Sequence, residues 1–311
     1  MTRCLVLGGG GFLGSHISET LLNAGHAVRI FEKERVLRDN VRSFIGQVEW
    51  MEGDFTDPHR VAEVLKGMEA VVHCVGTTLP KTSNDSPVYD ITSNLVPTLH
   101  FLDAAVQAGV KKVLFLSSGG TVYGIPQRVP IPEDHPTDPL TSYGIQKLSI
   151  EKYLKLYRDL HGLDYAVIRI SNPYGERQRP TAAQGAVTVF LDKALKGQPI
   201  EIWGDGSVVR DYLHVTDVAC AAQSALDYRG DFRIFNIGSG SGLSLLQVVE
   251  SIRKVLNRPV EVVFKPARRF DVPVNILDTT RAARELSWRP AVAFEDGLRR
   301  TAAFLSQSGK A

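Results

Sequence analysis

Short runs of Val, Ile and Leu recur along the chain, separated by stretches with helical periodicity. Cys4–Leu7, Ala27–Phe31, Val71–Val75, Val113–Leu116 and Ala166–Ile170 are apolar at nearly every position. A strand with one wet face alternates apolar and polar residues. These runs do not, which predicts strands covered on both faces by helices. Phe12–Asn23, Val61–Leu65, Leu95–Gln107 and Ser142–Leu160 supply the expected helices. Strand–helix alternation of this kind specifies an α/β fold, a Rossmann-type doubly wound parallel sheet. After Ile170 the rhythm changes. Pro173, Pro180 and Pro199, with Gly175, Gly185, Gly197, Gly204 and Gly206, break the chain into loops and short elements. Further helices are expected at Val215–Leu226, Leu245–Leu256, Thr280–Leu286 and Glu295–Leu305. The expected division is a sheet domain over 1–170 and a smaller lobe over 171–311, interleaved with it. A ligand cleft belongs between them, at the carboxyl ends of the strands.

Composition changes this picture only by exclusion. In 311 residues, 43% are hydrophobic and 23% charged, which rules out a collagenous, disordered or disulfide-stapled chain. Thirty-six Lys+Arg against 34 Asp+Glu leave a net charge of +2, too little to imply a polyanion partner. Basic residues such as Arg210 and Arg268 are therefore read locally, as ligands for a small anion. Cys4, Cys74 and Cys220 are odd in number and sit in apolar segments, as reduced core thiols of a cytosolic protein do. Met1–Leu7 is too short for a signal segment, and no stretch approaches the roughly 20 apolar residues of a membrane span. A cytoplasmic location is expected. The eight histidines show no HxxxH or HxH spacing, so no catalytic metal is expected.

The first candidate chemistry is at the start. Cys4–Gly14 reads as strand, glycine turn and helix, with Gly8, Gly11 and Gly14 in GxxGxxG spacing. Absent side chains allow the tight turn and let backbone N–H groups approach a pyrophosphate. Phe12 and Leu13 lie in the same turn. Glu32 follows about 20 positions later, where a carboxylate accepts both adenosine ribose hydroxyls. That carboxylate favours NAD over NADP, since it would repel a 2′-phosphate; Lys33 and Arg35 soften the repulsion. Asp54 and Phe55, after the third strand, are candidate adenine neighbours.

The second is Tyr143 with Lys147, four apart on a predicted helix and so on one face. A free phenol, with pKa near 10, is a poor base at neutral pH. A neighbouring ammonium is expected to favour the phenolate and make it a usable general base.

With these residues in view, the chain resembles the extended short-chain dehydrogenase/reductases, most closely the NAD-dependent nucleotide-sugar epimerases and dehydratases of the UDP-glucose 4-epimerase type. The resemblance spans essentially the whole sequence. It rests on the glycine motif, Leu116–Gly124, Ser142–Lys147 and Asn94. In the second half it rests on Arg169–Gly175, Trp203–Val215 and Arg268–Pro273. It implies that Tyr143 takes the proton of a sugar hydroxyl, that Lys147 holds the nicotinamide ribose, and that Ser117 lies at the cofactor. Asn172, Arg210 and Arg268 (or Arg269, the motif being one residue short) would bind the substrate diphosphate, with Gln198–Ile202 along the uracil. It further implies a UDP-sugar substrate, no nucleic-acid or membrane partner, and a homodimer; Tyr153, Leu154, Leu156, Tyr157 and Leu160 read as helix core or a dimer face.

Three further details carry information. Gly119 stands where the family's catalytic hydroxyl usually is, leaving Ser118, Thr121 or a water above the glycine to replace it. Gly119→Ser is accordingly expected to be tolerated. The same strand lacks the Asp-Glu pair that dehydratases use, which favours epimerisation. The loop Glu176-Arg-Gln-Arg-Pro180 is similar to that of UDP-glucuronate 4-epimerases and makes Arg179 the candidate carboxylate reader, while Asn172 looks like the neutral-hexose enzymes. The leading expectation is an NAD-dependent nucleotide-sugar 4-epimerase of the UDP-glucose/UDP-galactose type. A UDP-glucuronate 4-epimerase, a net NAD(P)-dependent reductase and a dinucleotide-binding sensor with little chemistry are the alternatives.

Overall fold

The computed structural model describes residues 1–78, 83–180, 185–266 and 272–308. Its strands run in the order β1 (Arg3–Leu7), β2 (Ala27–Glu32), β3 (Glu49–Glu52), β4 (Ala70–His73), β5 (Lys112–Ser118), β6 (Asp164–Ile170) and β7 (Asn172–Tyr174). Then come β8 (Ile200–Trp203), β9 (Val209–Arg210), β10 (Tyr212–His214), β11 (Ile234–Ile237), β12 (Leu243–Ser244), β13 (Val262–Lys265) and β14 (Val274–Asn275). The longer helices are α1 (Phe12–Asn23), α2 (Pro58–Leu65), α3 (Val96–Gln107), α4 (Ser142–His161) and α5 (Ala186–Leu195). They continue as α6 (Val215–Asp227), α7 (Leu245–Leu256), α8 (Thr280–Glu285) and α9 (Phe294–Ser308).

Seven strands form one parallel sheet in the order β11–β6–β5–β4–β1–β2–β3. The winding reverses between β1 and β4, and the crevice at their carboxyl ends is where such sheets place a ligand. The period of two within each strand sorts side chains between two cores. Cys4 and Val6 face α1 and α6, whereas Leu5 and Leu7 face α2, α3 and α4. Truncating a fully buried leucine such as Leu5 or Leu7 to Ala would cost about 2–5 kcal/mol. A third core, built on α5, α7 and α9, holds the remaining lobe together.

The expected elements differ from the observed ones for local reasons. α2 starts at Pro58, earlier than its apolar periodicity suggests, because the Asp57 carboxylate caps it by accepting from His59 N at 2.9 Å. α3 is preceded by a widened π-type turn, Ile91–Leu95, into which the Asn94 side chain bonds. α5 lacked a clear signal. So did β11, a four-residue strand interrupted by Asn236, whose amide is buried and bonded to Ile131 O at 2.8 Å. β11 pairs with β6 in parallel, so the second half of the chain completes the first half's sheet. All three cysteines are free thiols, but Cys220 is exposed on α6 and is not a core residue. Among the described residues no helix is long and apolar enough to cross a membrane, and no cluster of potential metal ligands occurs.

Candidate active site

Gly8 leaves β1 with φ +78°, a left-handed conformation that favours glycine, and donates to Phe31 O at 2.8 Å. Gly14 answers a different need. A Cβ there would lie 2.2 Å from Gly8 O and 2.8 Å from Gly9 Cα, so only glycine lets α1 press against the turn. Gly11 caps α1 without a side-chain bond, and the first turn carries no acidic residue. The orphan N–H groups at that end are thus open to a phosphate. Phe12 and Leu13, half-buried, begin the helix. Glu32 ends β2 and accepts from Gly10 N at 3.1 Å and Lys33 N at 3.0 Å, holding a carboxylate against the glycine loop. Beside it a cavity of about 390 Å³ is lined by residues including Lys33, Asp54, Phe55, Val75 and Thr77. Glycine cradle, free helix end, ribose-competent carboxylate and adjacent cavity together fit a dinucleotide.

Three of the expected cofactor neighbours also have partners within the chain. Phe55 borders that cavity, but its ring is buried edge-on to His73, centroids 5.1 Å apart, and is mainly core. The Asp54 carboxylate accepts from Thr56 N at 2.8 Å and Thr56 Oγ1 at 2.9 Å, bonds that hold it below the usual carboxylate range. It is turning the chain after β3. Ser117 donates its hydroxyl to Glu151 Oε1 at 2.5 Å. Glu151 in turn pairs with Arg169 at 2.6 Å, both all but fully buried. The Ser117 side chain therefore serves an internal ion pair.

α4 begins where Thr141 Oγ1 accepts from Gly144 N at 3.1 Å. Its first two turns carry Tyr143 and Lys147 along one face. Lys147 Nζ donates to Leu116 O at 3.0 Å and lies 4.7 Å from the Phe115 ring centroid and 5.6 Å from that of Tyr143. Burial pushes the lysine down to about 8, opposed by nearby acidic groups that include Asp90 and, more weakly, the Arg169-paired Glu151. Burial, reinforced by Asp90, pushes the Tyr143 phenol up to about 12. The expected lowering by Lys147 is thus not achieved by the chain alone, because desolvation of a phenolate outweighs an ammonium already engaged by a carbonyl and a ring.

Gly119 does not border a polar vacancy. A Cβ on it would lie 2.5 Å from Leu277 Cδ1 and 3.2 Å from Arg169 O, so the space above it is filled by a buried leucine. Of the other hydroxyls, Ser118 is half-buried, and Thr121 Oγ1 is buried with no hydrogen-bond partner in the structure. Thr121 also lies against α4: its carbonyl would be 2.9 Å from a Cβ on Gly144.

Two of the candidate diphosphate ligands bond to backbone carbonyls of the second half of the chain. Asn172 donates from Nδ2 to Asp211 O at 3.0 Å. Arg210 Nη1 donates to Val272 O at 2.6 Å and Val209 O at 2.9 Å. Arg179 is exposed on the loop after β7. Arg268 and Arg269 lie outside the described residues. In Gln198–Ile202, Ile200 and Ile202 point into the core, which leaves Gln198, Pro199 and Glu201 outward. The preceding arginine of the loop, Arg177, is turned away to Glu19 on α1 at 2.6 Å.

One participant went unnoticed in the sequence. Asp90 is fully buried beside Tyr143 and Lys147, and accepts from Ser142 Oγ at 2.6 Å and from Asn94 Nδ2 at 3.2 Å. Its spacing of four from Asn94 was the available signal.

This arrangement is that of a nicotinamide-dependent enzyme acting on a hydroxyl. Residues 4–238 match the model of the NAD dependent epimerase/dehydratase family, and the chain belongs to that family. The UDP-glucose 4-epimerase of Mycolicibacterium smegmatis is 36% identical over 306 residues, covering 97% of this chain and 98% of that one. Among solved structures, the UDP-glucose 4-epimerase of Thermotoga maritima with UDP-glucose superposes with a TM-score of 0.93 at 34% identity, covering 98% of this chain and 99% of that chain. The UDP-glucose 4-epimerase of Thermus thermophilus in complex with NAD gives 0.90 at 33%, again covering 98% and 99%.

Proposed function

We propose that the protein is an NAD-dependent UDP-glucose 4-epimerase. The carrying observation is the couple of half-buried Tyr143 and buried Lys147 at the carboxyl edge of a sheet whose first turn is a built dinucleotide cradle. Similarity to UDP-glucose 4-epimerases over nearly the full length supports the choice of reaction. Bound NAD supplies reversible hydride acceptance at the sugar C4 and, as a nicotinamide cation, positive charge that favours the phenolate. Tyr143 Oη takes the proton from the C4 hydroxyl and returns it once the sugar has presented its other face. Lys147, fixed by Leu116 O and the Phe115 ring, holds the nicotinamide ribose and keeps a positive charge behind the phenol. Thr121 Oγ1, buried and unpartnered, is the hydroxyl assigned to orient the sugar oxygen, with Ser118 as the alternative. The Gly8–Gly14 loop and the N-terminus of α1 hold the pyrophosphate, and Glu32 the adenosine ribose. Asn172, Arg210 and one of Arg268 and Arg269 bind the UDP diphosphate, and Arg179 faces the sugar C6 group.

A cytoplasmic homodimer is part of the same reading. Tyr153, Leu156 and Leu160 form an exposed apolar stripe on α4, with Val96 of α3 exposed as well, whereas Leu154 points into the core. Charging the stripe, as in Leu156→Lys with Leu160→Lys, should give a monomer by sedimentation. The function is tested by supplying UDP-glucose, UDP-galactose, their N-acetyl forms and the uronates without added cofactor. Interconversion of UDP-glucose and UDP-galactose is expected, and Tyr143→Phe should slow it by at least about 10²-fold. Near-full activity in that variant would overturn the assignment, and stoichiometric consumption of added NADPH would indicate a reductase instead. Turnover restricted to uronates and lost in Arg179→Ala would move the substrate to UDP-glucuronate.

A further inference from the structure

Asp90 ends a single helical turn, Pro87–Asp90, immediately before the π-type turn Ile91–Leu95. No part of its side chain reaches solvent, yet three elements converge on it. Thr78 Oγ1, from the segment after β4, donates to Oδ1. Asn94 Nδ2 donates to the same oxygen at 3.2 Å and to the Asp90 carbonyl at 3.0 Å. Ser142 Oγ, from the first residue of α4, donates to Oδ2 at 2.6 Å. The next residue is Tyr143, whose N–H donates to Ser83 Oγ at 3.1 Å. A buried carboxylate is costly unless donors surround it, and this one gains further from the positive end of α4. A neutral residue would serve packing alone at less cost.

We propose that Asp90 is a positioning residue for the Tyr143–Lys147 couple, fixing the first turn of the catalytic helix through Ser142 and setting the charge that both side chains face. The proposal rests on reading Tyr143 as the general base. Other charges around the couple are few. β4 and its end offer His73 and Cys74; burial lowers the first to about 3 and raises the second to about 12, so neither carries charge at neutral pH. Glu151, on α4 itself, is neutralised by Arg169 of β6. Asp103 of α3 is bound by Tyr157, His100 is exposed, and Lys112 and Asp164 sit at the far ends of β5 and β6. Asp90 is left as the one unmatched negative group against the couple among the described residues. It raises the phenol and also raises the ammonium, which keeps Lys147 protonated while holding Tyr143 in reserve.

The test reads the phenol directly. The near-ultraviolet phenolate absorbance of the NAD-loaded protein, titrated against Tyr143→Phe as the blank, gives the Tyr143 midpoint without reference to turnover. Asp90→Asn, nearly isosteric, should lower that midpoint by about one unit and move the acid limb of the kcat profile with it. Ser142→Ala keeps the charge and removes the tie to the helix. It should leave the midpoint in place and lower kcat at least fivefold with KM for the UDP-sugar unchanged. An unmoved midpoint in folded Asp90→Asn overturns the proposal. Should Asp90→Asn fail to fold, undiminished kcat in Ser142→Ala overturns it. A fully active Tyr143→Phe would instead refute the general-base reading, and the absorbance titration keeps the two failures apart.

Discussion

Gly119→Ser restores the residue type that the family resemblance expects at this position, yet the structure predicts that it is damaging. The new Cβ would lie 2.5 Å from Leu277 Cδ1, 3.0 Å from Cδ2 and 3.2 Å from the Arg169 carbonyl. Leu277 is fully buried among Val122, Tyr123 and Ile131, so its methyl groups have little room to retreat. The backbone offers little more, because Gly119 N donates to Ile170 O at 2.8 Å and Gly119 O accepts from Asn275 Nδ2 at 3.1 Å. Overpacking of this kind costs about 1–3 kcal/mol. A serine hydroxyl left without a partner adds roughly 1–3 kcal/mol. At about 2–4 °C per kcal/mol for larger domains, Tm should fall by at least about 4 °C. Gly119→Ala isolates the steric part and should fall less. Leu277→Ala makes room, so combining it with Gly119→Ser should recover at least about 0.5 kcal/mol relative to the sum of the two single variants. Thermal unfolding of the four proteins, with turnover measured in parallel, completes the cycle. An unchanged Tm together with raised turnover in Gly119→Ser would refute the reasoning and put the new hydroxyl in the cleft.

Two further outcomes are expected. Gly14→Ala sets a methyl 2.2 Å from Gly8 O, which must push α1 off the phosphate turn. Calorimetry should show NAD binding weakened at least about tenfold, a loss of about 1.4 kcal/mol or more, and unchanged affinity would remove the cradle assignment. Acid should destabilise the fold through two buried histidines: burial lowers His16 from 6.5 to about 4 and His73 from 6.5 to about 3. The unfolded chain binds these protons first, so stability is complete above pH 6.5 and is lost as pH falls from 6.5 toward 3. Urea midpoints that stay flat between pH 6.5 and 4 would contradict it.

The sheet was legible in the sequence because a strand buried on both faces must be apolar along its length. Cys4–Leu7 says so without help from the rest of the chain. The glycine turn was equally local: a strand, a left-handed bend and a helix start fall within about a dozen residues, and Gly14 can be read from that spacing alone. Tyr143 and Lys147 needed only the helical period. The tertiary structure decided whatever depended on what lies opposite. Whether Gly119 faces a sugar or a side chain is settled by Leu277, which is distant in sequence and tied to the site by the neighbouring Asn275–Gly119 bond. That the Ser117 hydroxyl meets Glu151, itself paired with Arg169, is likewise a product of the fold. Nor could β11 be recognised, because Asn236 breaks its apolar run, and its side chain finds Tyr123, Ile131 and Asp278 only once the chain has folded. The Tyr143 phenol shows the same division most sharply. Its place on the helix follows from a spacing of four, whereas its proton affinity follows from burial and from Asp90, neither of which a linear pattern contains. Periodicity encodes which way a side chain points from its own element. The partner that meets it there, and the solvent it loses, are properties of the assembled fold.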